Sequence, residues 1–226
     1  MPSVKKSILK RPRSGASAPR SAKRVMTNPR ISMDLKYVDT DVTTQTAGSV
    51  AGTIVPLTAI GQDVTQNGRI GAQVSLKKLQ CRWILNARDG GNGGANAGTF
   101  SGYRIIFFQW HPATTPVATD IVTGADAFVD TRRYNQDNAQ SYTILYDRAT
   151  IVAKSQSSAT APLYNNQSSD GPYAKEFTIP RKASRFSTVA GDTSATNKVY
   201  VLLLSATDTA LDKPGLHLKT RAFFHG

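Results

Sequence analysis

From residue 36 onward, apolar and polar positions alternate in short runs, and no stretch keeps a helical period. The alternation is clearest in Val74–Ala87 (VSLKKLQCRWILNA). There Leu79, Cys81, Trp83 and Leu85 share one face, and Lys78, Gln80 and Arg82 share the other. Lys36–Thr46, Val50–Thr58, Gly102–Trp110, Tyr142–Ala153, Lys175–Pro180, Lys198–Ser205 and Leu216–His225 complete a set of eight predicted strands. Turn-forming residues separate them, as in Gln66-Asn67-Gly68, Ser169-Asp170-Gly171 and Lys213-Pro214-Gly215. One short helix fits within Ala118–Val129, where Gly124 argues against a long one. Many short strands without crossover helices predict an all-β fold. Eight of them suit a single antiparallel jelly-roll sandwich.

Two strands break the alternation. Ile105–Phe108 and Val201–Leu204 are apolar on both faces, whereas a strand in a two-sheet sandwich meets the core once and water once. Three readings stand open for the outer side: cover by the long 111–140 segment, cover by a neighbouring subunit, or tolerated exposure.

Composition changes the picture at the N-terminus. Residues 1–30 hold nine Lys or Arg (Lys5, Lys6, Lys10, Arg11, Arg13, Arg20, Lys23, Arg24 and Arg30) and no Asp or Glu. The whole chain has 28 basic and 15 acidic residues, so residues 31–226 keep 19 basic against 15 acidic, a surplus of only +4. Pro2, Pro12, Pro19 and Pro29 interrupt any helix there, and apolar content is too low to offset the entropy of ordering. Residues 1–33 therefore read as a disordered basic arm and 34–226 as the folded domain. Cations spread among small residues suit phosphates, because each contact releases condensed counterions and reads no base. No aromatic residue precedes Tyr37, so the arm neutralises charge and does not stack on bases. Lys5-Lys6, Lys10-Arg11 and Lys23-Arg24 also form a loosely bipartite nuclear import signal, which implies a host import receptor as a further partner.

The folded part offers three smaller basic groups: Lys78 and Arg82 beside Lys77, Arg132 and Arg133 beside Tyr134, and Arg181 and Lys182 with Arg185 beside Phe186. Each reads as a secondary nucleic-acid site, a subunit contact or a solvated face.

Catalytic and metal chemistry finds no foothold. His111, His217 and His225 lack metal-ligand spacing, and no nucleophile elbow occurs. The Gly90–Gly98 run does not spell a phosphate-binding fingerprint and reads as an exposed loop. Asp39 and Asp41, near Asp34, could take calcium, but alternate strand positions suit a solvated face better. Asp147-Arg148, and Asp130 with Arg132 and Arg133, read as ion pairs or interface contacts. Cys81 excludes an intrachain disulfide, reads as a buried structural thiol, and fits a reducing compartment. No apolar run is long enough for a membrane helix, and no apolar segment follows the basic residues to make a secretory signal. Asn166-Gln167-Ser168 is therefore a chance glycosylation match. The expectation is a non-enzymatic protein without cofactor, metal or membrane.

Several segments together resemble one family. They are Leu35-Lys36-Tyr37-Val38-Asp39, Val55–Gln62, Asn67-Gly68-Arg69-Ile70-Gly71 leading into Val74–Arg82, Tyr103–Phe108, and Tyr142–Arg148. In this order they resemble the capsid proteins of small circular Rep-encoding single-stranded DNA viruses. They are similar also to coat proteins of small satellite RNA viruses. The resemblance covers nearly the whole chain; the Gly90–Gly98 loop is its one departure. It implies a jelly roll, a homo-oligomeric icosahedral shell of about sixty copies, and an arm that packages single-stranded nucleic acid, DNA before RNA. Such a protein would reside in the virion, and in the host nucleus or cytoplasm during assembly. The open alternative is a non-viral single-stranded nucleic-acid-binding β-barrel.

Overall fold

Strand β3 (Gln73–Asn86) turns the predicted alternation into packing: Leu79, Cys81, Trp83 and Leu85 are buried and Arg82 is exposed. The computed structural model describes residues 35–44, 49–63, 67–86, 100–124, 128–153, 169–188, 193–206 and 215–226. The basic arm, the Gly90–Gly98 loop and the Asn166 sequon lie outside the described residues.

Around β3 the chain builds two antiparallel sheets from β1 (Lys36–Thr44), β2 (Thr53–Pro56), β4 (Phe100–Trp110), β5 (Tyr142–Ala153), β6 (Ser169–Thr178), β7 (Ala183–Arg185), β8 (Lys198–Ser205) and β9 (Gly215–His225). The first sheet runs β1-β9-β3-β6, with β7 also on β3; the second runs β2-β8-β4-β5. The all-β sandwich expected from the sequence is therefore observed.

One strand was not expected. The sequence predicts a single strand over Lys175–Pro180, but β6 and β7 flank a break at Ile179–Lys182. Both lie on the edge of β3 away from β9. β6 pairs from Lys78↔Thr178 to Asn86↔Ser169, and β7 from Gln73↔Arg185 to Ser75↔Ala183. Pro180, which cannot donate to a ladder, falls in the break. Ser169-Asp170-Gly171, read as a turn, belongs to β6, where Asp170 pairs with Leu85 beside a register shift.

The inner faces of the sheets form one core, with Trp83, Phe107, Val201 and Leu218 among its members. A second core sits on the outer side of β4 and β8. Ile106, Phe108, Trp110, Tyr200, Leu202 and Leu204 there meet Ile121, Val122 and Val129. The 111–140 segment, with its short helix α1 (Ala118–Ile121), therefore supplies the cover that the two-faced strands require. Each large apolar side chain so buried stabilises the fold by about 1.5–3 kcal/mol.

Buried polar groups hold this cover in place. Arg104, buried in β4, makes a bidentate pair with Asp147 of β5 (Nε–Oδ1 2.9 Å, Nη2–Oδ2 2.6 Å). Its Nη1 donates to the carbonyls of Val129 (3.2 Å) and Arg132 (2.6 Å). Tyr134 donates its hydroxyl to Asp147. Burial first, and the Asp147 carboxylate second, push the Tyr134 phenol up to about 12.

Candidate nucleic-acid interface

Alternation along β1, β3, β6 and β9 sends apolar side chains inward and leaves a polar outer face on the first sheet. Register decides which charges meet there. Asp39 lies opposite Arg221, and Asp41 opposite Lys219. Arg221 donates to both oxygens of Asp39 at 2.7 Å, and this hydrogen bonding holds the Asp39 carboxyl below its ordinary value. Lys219 lies 3.5 Å from Asp41. Lys78 and Gln80 both donate to Glu176, at 3.0 and 2.8 Å. A cavity of about 460 Å³ on this face is lined by residues that include Asp39, Asp41, Arg82, Lys219 and Arg221. The Asp39/Asp41 pair thus faces basic partners, as a solvated strand face does. No group of three or more His, Cys, Asp or Glu is gathered among the described residues.

The three basic groups read from sequence occupy separate places. Lys78 is ion-paired, while Arg82 is exposed and has no side-chain partner among the described residues. Arg132 is buried at 5% exposure within the covering segment, which removes it from the free surface of the chain; Arg133 is exposed. Arg181, Lys182 and Arg185 stand together, exposed, at the β6–β7 corner, with no ion pair or side-chain hydrogen bond among the described residues. The nine cations of the arm lie outside the described residues.

The corner is built by residues that sequence reading passed over. Gln109, fully buried in β4, donates to the Arg181 carbonyl at 2.7 Å and accepts from the Arg181 amide at 3.0 Å. Asn197, with φ of 57°, donates to the Ala183 carbonyl at 2.7 Å. Arg69, 1% exposed, donates to Ile60, Gly71 and Ser187 carbonyls and lies 4.9 Å from the Phe186 ring centre. A polar residue inside a two-faced apolar strand is the readable signal for Gln109 and Arg104, because neither can be buried without partners.

His111 closes the corner from the second sheet. Its ring nitrogens lie 3.1 Å from Asn197 Oδ1 and 3.0 Å from Thr143 Oγ1. Burial, and then the positive charge of Arg181, hold its pKa below the ordinary imidazole value. Asp147 reaches Arg104, while Arg148 lies 4.2 Å from the Tyr173 ring centre. Cys81 is buried and burial pushes its thiol far up, as an inert structural thiol requires. Among the described residues no helix is long and apolar enough to cross a membrane.

No family model matches the chain, and no curated protein matches it. Among solved structures, the chain is similar to the infectious bursal disease virus VP2 subviral particle, with 9% identity and a TM-score of 0.26. The match covers 84% of this chain, which spans 33% of that chain's length. A likeness that slight carries neither function nor partner across.

Proposed function

We propose that this chain is the coat protein of a small icosahedral single-stranded DNA virus, and that its sandwich is a jelly roll which tiles into a shell around the genome. The observation that carries the reading is the charge partition. Nine cations without one acid fill the first thirty residues, and a nearly balanced all-β body follows. The strand order supports the jelly roll: with β6 and β7 counted as one interrupted strand, each sheet has four strands, and the chain changes sheet at nearly every connection.

The physics is that of neutralisation followed by tiling. In a shell of about sixty identical subunits, nine cations each bring on the order of 540 positive charges inside, a scale that suits a genome of about a kilobase. The body's surplus of +4 adds little repulsion between neighbours once phosphates screen the arms. The arm's paired basic clusters also serve nuclear import, so the protein passes through the host nucleus before it resides in the virion.

Electron microscopy of the purified protein, with nuclease typing of any enclosed nucleic acid, tests this. Closed particles holding DNase-sensitive, single-stranded material are expected. Discrete small oligomers under every ionic condition would instead make the chain a single-strand-binding module.

A further inference from the structure

Residues 181–187 carry three exposed cations on a backbone held at nearly every step. Gln109 clamps the Arg181 amide and carbonyl. The Leu76 amide donates to the Lys182 carbonyl at 2.7 Å, and Asn197 holds Ala183. Thr196 accepts from the Arg185 amide through Oγ1 (3.2 Å) and donates its own amide to the Arg185 carbonyl (3.0 Å). Arg69 holds Ser187 at 2.8 Å. Buried polar side chains are expensive unless satisfied, yet two of them, Gln109 and Arg69, are used here to fix one short surface segment. The segment presents Arg181, Lys182 and Arg185 to solvent, while Lys78, Lys219 and Arg221 on the neighbouring face are already matched to acids.

We propose that Arg181, Lys182 and Arg185 form a preorganised phosphate-binding edge on the body, which takes the backbone of single-stranded nucleic acid without reading its bases. The choice of nucleic acid among polyanions rests on the packaging reading. The division of labour differs from that of the arm. The arm supplies charge in quantity, and the corner supplies a fixed backbone, so that only side-chain ordering entropy remains to be lost on binding. His111 is the built-in reporter: burial is the larger cause of its lowered pKa, and a phosphate beside Arg181 relieves the repulsion that adds to it.

The test uses the full chain in four forms: native, with the nine arm cations changed to Gln, with R181Q/K182Q/R185Q, and with both sets. Affinity for a short oligothymidylate is measured against salt. The corner substitutions should reduce the log–log salt slope by about 2, at roughly 0.7 per lost contact. The arm variant should keep a residual salt-dependent binding that the combined variant loses. R181K/R185K should keep the native slope, since phosphate neutralisation needs charge and not guanidinium geometry. In the arm variant, oligothymidylate should raise the His111 pKa followed by NMR. Residual binding indifferent to the corner substitutions, or an unmoved His111, overturns the site. Equal competition by polyglutamate would assign the corner to an acidic protein surface instead. Particles that form and package while the slope stays put sink this site alone; intact corner binding without any particle sinks the coat reading alone.

Discussion

Gly52 turns the chain at φ +93° where it passes beneath α1, and a Cβ there would lie 2.6 Å from the Cβ of Ala118 and 2.9 Å from Leu202 Cδ1. Left-handed backbone and close approach both demand glycine. Gly52→Ala should therefore cost about 2 kcal/mol or more, read as a lower urea midpoint. Adding Ala118→Gly should recover only the steric part, and full recovery would show that the backbone is unstrained. His111 makes a second residue-scale claim. Its neutral ring is held between Asn197 and Thr143, and its folded pKa lies below the ordinary value. The unfolded chain takes this proton near pH 6.5, and the folded chain only at lower pH. The stabilising difference is therefore complete above about pH 6.5 and is lost as pH falls through the lowered folded value. Unfolding free energies measured at a series of pH values should show native protein losing stability relative to His111→Asn across that window. Arg181→Ala should move the His111 pKa only part of the way back, because burial is the larger cause. A His111 that titrates at the ordinary value would remove both expectations.

Elements carry the next claim, since the covering segment depends on one charge pair. Arg104 has 7% of its side chain exposed and Asp147 24%, and the same guanidinium holds the carbonyls of Val129 and Arg132. Asp147→Asn leaves that cation buried without a counter-charge, a loss of about 3–5 kcal/mol for a broken buried pair. The 111–140 segment should then loosen first. Limited trypsin digestion should cut at Arg132 or Arg133 in the variant well before the sandwich unfolds, whereas simultaneous loss of both would mean the cover and the sandwich are one cooperative unit. The legibility of these elements follows from what each relies on. β3, β4 and β8 were readable because alternation or double apolarity is a local property of ten or so residues. β7 was not: Ala183–Arg185 has no hydrophobic pattern, and beside its pairing with Gln73–Ser75 it is held by the distant Asn197, while Gln109 holds Arg181 just before it. The corner was legible as a basic group with three open readings but not as a rigid segment, because its rigidity is a tertiary fact. Burial of Arg132 was hidden for the same reason, since it follows from the folding of 111–140 over the second sheet.

At the scale of the molecule, charge and shape belong to different parts of one chain. The residues that form the two cores described for the sandwich all fall within 35–226. Removing the arm should therefore leave unfolding of the body nearly unchanged while stripping away most of the phosphate-directed charge. Chain lacking residues 1–33, mixed with single-stranded DNA, should fail to protect it from nuclease. The full chain should protect it, and protection should fall steeply with salt. Sedimentation separates the possible causes of failure. If the truncated chain still forms particles, tiling is a property of the sandwich and the arm only fills the interior. If particles disappear at low salt and return at high salt, the arm's role includes screening repulsion between bodies that carry a surplus of like charge. Normal nuclease protection by the truncated chain would move packaging from the arm onto the body, with the Arg181–Arg185 corner the first surface to answer for it.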